Sequence, residues 1–166
     1  MTIYKNPKGF TLIEAIAVLI VLGILSAVIA SRNISTAEVN IKSQTEVLKS
    51  HIRYAQFRAM NMTSTTPLTC KAPFGMVMSG DNYFMFSDCV TTSKVVLPGA
   101  ESSVSVTLPI GMTVDSATFS FDNWGRPYAV ANPNPLTQSS LTISFNLAYQ
   151  GLTEPIIITG NTGFVP

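Results

Sequence analysis

Three stretches of the chain differ in how apolar and polar positions alternate. From Phe10 to Ser31 the run is almost wholly apolar, and Glu14 is its one charge. As a helix rising about 1.5 Å per residue, this run spans roughly 33 Å, enough to cross a bilayer. Beyond Arg32, Ile34, Ala37, Ile41, Thr45, Leu48, Ile52, Ala55, Ala59 and Met62 recur at spacings of three or four. That period marks a narrow, largely apolar stripe on a helix. Glu38 with Lys42 and Lys42 with Glu46 stand at the i, i+4 spacing suited to ion pairs on another face. No proline lies between Pro7 and Pro67, so the two stretches are expected to form one continuous helix of about fifty residues, roughly 75 Å long.

After "NMTSTTPLTC" the period shortens to β-type runs between turn residues. Strands are expected at Phe74 to Met78, Tyr83 to Ser87, Lys94 to Leu97, Ser103 to Leu108, Ala117 to Phe121, Leu141 to Leu147 and Pro155 to Thr159. "SGDN" reads as a hairpin turn, and "DNWGRP" and "ANPNPLTQSS" as longer loops. The helical stripe needs a cover, and a sheet with one apolar face supplies it. The expected fold is α+β: a long N-terminal helix, transmembrane in its first half, packed on a C-terminal antiparallel β-sheet domain. The division is 1–9, a short flank; 10–31, the membrane-spanning half of the helix; 32–62, its amphipathic half; and 63–166, a β-rich head.

Charge refines this picture. Ten Lys and Arg nearly balance nine Asp and Glu, but from Asn61 onward Lys71, Lys94 and Arg126 face Asp81, Asp88, Glu101, Asp115, Asp122 and Glu154. A head with that balance has no broad attraction for phosphate backbones or anionic lipid. The flank before the apolar run carries Lys5 and Lys8. By the positive-inside rule it stays cytoplasmic and the head lies outside. In an exported head, Cys70 and Cys89 read as a disulfide; two cysteines alone cannot make a zinc site.

The residues offer little catalytic chemistry. His51, the single histidine, is expected on a solvated helix face beside Arg53. No GxSxG, HExxH, Walker or dinucleotide glycine pattern occurs. Asp81, Asp88, Asp115 and Asp122 are read as turn-capping residues. There is no DxDxDG loop, so no metal and no cofactor is expected. The chain reads as a non-enzyme.

Glu14 is the residue that an ordinary signal peptide or anchor does not explain. Val28-Ile29-Ala30 would serve as a conventional cleavage site, and a permanent anchor could hold Glu14 near the headgroups. A carboxylate inside a membrane helix nevertheless costs a few kcal/mol if ionised and unpaired, which makes it a functional residue by default. Small residues four apart, Gly23 with Ala27 and Ser26 with Ala30, would let helices approach closely.

Gly9-Phe10-Thr11-Leu12-Ile13-Glu14, with a basic flank before it and an apolar segment after it, resembles the class III signal of type IV pilins and type II secretion pseudopilins. The resemblance implies that residues 1–9 are a cytoplasmic leader, cut between Gly9 and Phe10 by a prepilin peptidase that also methylates the Phe10 amine. It implies that the Glu14 carboxylate meets the Phe10 amine of a neighbouring subunit in a fibre. Many such pilins carry a proline near the end of the apolar segment; here the sequence is Ala30-Ser31-Arg32. "LKSHIRYAQFRAMN", "FSFDNWGRP" and "IIITGNTGFVP" are similar to the H-type pseudopilin and FimT-type minor pilin branch.

The expected function is therefore that of a minor pilin or pseudopilin. It would be a structural subunit of a type IV pilus or type II secretion pseudopilus that helps initiate or cap fibre assembly. Its partners would be other pilin subunits, prepilin peptidase and the bacterial inner membrane, with the head in the periplasm or carried in a fibre to the cell surface. A DNA-binding minor pilin is the alternative, and a membrane-anchored periplasmic domain of another role the third. Gly160 to Pro166, where some FimT-type pilins carry basic residues, has no Lys or Arg, so nucleic acid is not an expected partner. Trp124, Arg126 and Tyr128 form at most a small stacking platform, more simply read as an aromatic turn packed on its sheet.

Overall fold

The computed structural model describes residues 11–31, 36–62, 70–100, 103–131 and 140–166. The chain forms two compact units, Met1–Ser35 and Thr36–Pro166.

The first unit contains helix α1, Leu12–Ser31. Thr11 caps it: the Glu14 amide donates to the Thr11 hydroxyl at 3.3 Å and to its carbonyl at 3.1 Å. The window Leu12–Ile29 is long and apolar enough to cross a membrane. Its apolar side chains are exposed all round, Leu12, Leu19 and Ile29 among them. A helix apolar on every side belongs in lipid or among other helices.

The second unit begins with helix α2, Thr36–Met60, with Glu38 in its first turn and Arg58 in its last, both placed to suit the helix dipole. The join expected between the two helical stretches, with Ile34, lies outside the described residues. Eight strands follow: β1 Phe74–Gly80, β2 Asn82–Ser87, β3 Val90–Val95, β4 Val106–Thr107, β5 Met112–Phe121, β6 Pro127–Tyr128, β7 Ile143–Tyr149 and β8 Leu152–Ile158. They form one sheet in the order β3-β2-β1-β5-β7-β8, with β4 on β2 and β6 on β5, and every pairing is antiparallel. The fold is α+β.

Helix α2 lies against β1, β5, β7 and β8. Its buried face is Ala37, Ile41, Thr45, Leu48, His51, Ile52, Ala55 and Ala59, the stripe expected from the spacing with His51 added. Phe74, Met76 and Met78 of β1, Tyr83 and Met85 of β2, Ile143, Phe145 and Leu147 of β7, and Ile156 and Ile158 of β8 meet it. The alternation of each strand puts these residues on one face.

β5 is longer than expected because its alternation breaks. Met78 pairs with Ala117, but Gly80 pairs with Val114, so β5 carries an extra residue there. A bulge of that kind switches the face presented. Met112 and Val114 therefore enter the same core as Phe119 and Phe121, although their positions differ in parity. β3 begins four residues before the expected Lys94, with side chains that alternate between half-buried and exposed. The run Ser103 to Leu108 shortens to the two residues of β4, and β6 has no counterpart in the expected set.

Turn chemistry closes the hairpins. Gly80 takes φ 63° between β1 and β2, and Gln150 and Gly151 take 49° and 81° between β7 and β8. Two successive positive φ values suit the right-handed twist of the strands they join. On the face away from α2, Phe86, Gly75, Ser120 and Tyr128 form one cross-strand row. All four are buried. A Cβ at Gly75 would strike both the Phe86 ring and the Phe119 carbonyl.

Candidate functional site

Of the residues singled out for processing and assembly, Gly9 and Phe10 lie outside the described residues. Glu14 stands in the first turn of α1 and is exposed. Thr11-Leu12-Ile13-Glu14 also has the spacing of a capping box, Thr at the N-cap and Glu three residues on. This signal was legible in the sequence and supplies a local reason for an acid at this position. The positive end of the helix dipole favours a carboxylate there by about 0.3–1 kcal/mol. That falls short of the several kcal/mol that an unpaired charge loses in an apolar interior. Once α1 is surrounded by lipid or by other helices, an ionised carboxylate at this position is left with that deficit unless it meets a cation.

In the second unit, Cys70 and Cys89 form a disulfide with Cα atoms 5.7 Å apart. Cys70 precedes β1 and Cys89 follows β2, so the bond closes the open end of that hairpin. Cys89 has φ 60° in the turn between β2 and β3.

His51 corrects the expectation of a solvated helix face: it is buried. Its Nδ1 lies 2.9 Å from the Tyr83 hydroxyl and its Nε2 3.0 Å from the Pro98 carbonyl. The carbonyl can only accept, so Nε2 carries the proton and Nδ1 accepts from Tyr83. Burial pushes the His51 pKa down, against the opposing effect of the Pro98 carbonyl, and pushes the Tyr83 hydroxyl up to about 12. The imidazole works as a neutral tie between α2, β2 and the loop after β3. Three residues after Leu48 and four before Ala55, it sits on the shoulder of the stripe, and that spacing could have placed it inside.

Each of the four aspartates has its own hydrogen-bond partner. Asp88 accepts from the Ser87 hydroxyl, and Asp81 from the Asn82 amide. Asp115 lies within β5 rather than at a turn and accepts from the Asn146 backbone and side-chain nitrogens, each at 2.9 Å. Asp122 caps the turn after β5. Lys42 pairs with Glu38 at 2.8 Å, whereas Glu46, expected to share Lys42, pairs with Lys49 at 3.1 Å. A Glu four residues before a Lys is the better-oriented partner, which leaves Glu46 to the next lysine. Among the described residues no group of three His, Cys, Asp or Glu side chains is placed to hold a metal ion.

Trp124 also departs from expectation. It projects into solvent, 74% exposed, while Tyr128 is buried beneath the same turn.

The family model for the prokaryotic N-terminal methylation motif matches residues 4–30. The match indicates a type IV pilin-like chain. It spans the Gly9-Phe10 junction, Glu14 and most of α1, and the apolar helix beside it is consistent with membrane anchoring. No curated protein and no solved structure matches the chain.

Proposed function

We propose that this chain is a minor pilin or pseudopilin, a non-catalytic subunit whose α1 enters a fibre and whose head, on the periplasmic side, helps initiate or cap assembly. The observation that carries this reading is Glu14, a carboxylate in the first turn of an otherwise uncharged helix with exposed apolar sides, inside a matched methylation motif.

Cleavage of the Gly9–Phe10 peptide bond would leave a free amine on Phe10. Methylation keeps that amine basic and therefore cationic at neutral pH. Stacking α1 among neighbouring helices would bury both this ammonium and Glu14, and each alone is penalised in a low dielectric. Their pairing between subunits cancels the two penalties at one axial offset, so it fixes register while adding little net stability. Prepilin peptidase and other pilin subunits are the partners this chemistry requires.

Two substitutions separate pairing from capping. Glu14→Val should be cleaved and inserted like wild type, because it removes a charge that insertion disfavours. It should fail to cross-link with other fibre subunits in membranes, since a neighbour's ammonium loses its partner at a cost of about 3 kcal/mol or more. Thr11→Ala removes the capping hydroxyl, worth about 1 kcal/mol, and should cross-link normally. If Glu14→Val is cleaved and cross-links as wild type does, Glu14 has no pairing role.

A further inference from the structure

The turn after β5 is fixed at an unusual number of points. Asp122, itself 5% exposed, accepts the Trp124 and Arg126 amides on Oδ1, both at 2.9 Å. Its Oδ2 accepts Arg126 Nε at 2.8 Å and the Tyr128 hydroxyl at 3.3 Å. Gly125, at φ 78°, backs onto Met60 and Gln56 of α2. Gln56 Nε2 donates at 3.0 Å to both the Gly125 and the Thr162 carbonyls. These contacts gather the turn and the C-terminal segment at the end of α2 opposite Thr36.

What this rigid turn presents is an indole in water. Trp124, the chain's single tryptophan, gains nothing from core packing there. Hollows flank it: one of about 130 Å³ lined by residues including Lys71, Asp122 and Arg126, and one of about 290 Å³ lined by Trp124, Arg126 and Asn161. Trp124 and Arg126 line both. Lys71 follows the disulfide-bonded Cys70, so its backbone is tethered as well.

Charge narrows the ligand. From Asn61 onward the basic residues are Lys71, Lys94 and Arg126. Lys94 lies over the Phe84 ring; the other two line the smaller hollow. Two of the three cations that follow α2 thus lie beside the chain's one indole, with Asp122 offsetting one of them. A flat aromatic face with a small net positive charge suits a ring that has a C–H face and a carboxylate. A single-stranded nucleic acid would also stack, but successive phosphates need a row of free cations, and the arginines at this end of α2 are engaged elsewhere, Arg58 over the Phe74 ring and Arg53 on the Val165 carbonyl.

We propose that the Trp124 turn binds an acidic saccharide, a carboxylate-bearing pyranose stacked on the indole with its carboxylate toward Lys71 and Arg126. All the residues of the site belong to the second unit.

The test uses the full chain in a zwitterionic detergent without a sugar headgroup. Tryptophan emission, which reports Trp124 alone, is titrated with trigalacturonate, maltotriose and a short oligothymidylate. Trigalacturonate should change the emission saturably with a Kd of about 1 mM. Lys71→Gln, which touches none of the bonds that fix the turn, should weaken that binding about tenfold, as expected for loss of one charge-assisted contact. By calorimetry, Trp124→Ala should abolish binding. No saturable change, equal binding of maltotriose, or tighter and salt-sensitive binding of oligothymidylate would each overturn the assignment.

Discussion

Reducing the Cys70–Cys89 disulfide should lower the stability of the head by an amount that follows from loop length. The bond links residues 19 apart in sequence, and the loop it closes contains β1 and β2. In the chain-entropy relation, a loop of this length removes about 11 cal/mol/K from the unfolded ensemble, or about 3 kcal/mol at 25 °C. For a unit of this size, each kcal/mol moves the midpoint by roughly 3–4 °C, so reduction should lower Tm by about 10 °C.

The assay is thermal and urea unfolding of the 36–166 head, whose core lies wholly within it. Measurements would be made with and without a phosphine reductant, and on the Cys70→Ser/Cys89→Ser double variant. The variant should match the reduced wild type, and its urea slope should rise because an uncrosslinked chain exposes more surface on unfolding. A reduced protein whose midpoint stays within about 2 °C of the oxidised one would refute the entropic reasoning. It would mean that the β1–β2 hairpin persists in the unfolded state without the bond.

Two further outcomes concern the head. Burial depresses the His51 pKa, so the unfolded chain binds a proton there before the folded one does. The stability contributed by neutral His51 is complete above about pH 6.5 and is lost as pH falls from there through the folded pKa. Urea midpoints between about pH 7.5 and 5.5 should therefore fall more in wild type than in His51→Gln, and parallel curves would deny the linkage. Gly163→Ala forces a side chain into φ 64° and presses its Cβ against the Gly125 carbonyl oxygen and the Gln56 amide. Gly151→Ala, at φ 81° with open space around it, carries the backbone cost alone. Gly151→Ala should cost about 1 kcal/mol and Gly163→Ala clearly more by urea unfolding; equal losses would show that the close approach contributes nothing.

The α+β architecture was legible because its two periods differ. The stripe from Ala37 to Ala59 repeats at three to four, and β1, β2, β7 and β8 alternate apolar residues about turn residues such as Gly80 and Gly151. What escaped were features that depend on a partner elsewhere in the chain. The first half of β5 was hidden because a bulge opposite Met78 and Gly80 reverses its parity. β3, an edge strand, has no apolar face to advertise it. His51 looks like a surface residue until Tyr83 and the Pro98 carbonyl are seen to satisfy both ring nitrogens. Asp122 carried a readable signal, an Asx turn in Asp122-Asn123-Trp124, but its second oxygen serves Arg126 and Tyr128, which spacing alone does not reveal. At the amino terminus, Gly9 to Glu14 carry two signals in the same residues, the motif and the Thr11–Glu14 capping relation, and the stronger pattern hides the local one.

The most direct test of the account is the intact mass of the protein purified from membranes of its native host. A processed subunit should begin at Phe10 and carry one methyl group on its amine. A chain that begins after Ala30, or one that retains residues 1–9, would contradict the proposal that this helix is cut and methylated for entry into a fibre.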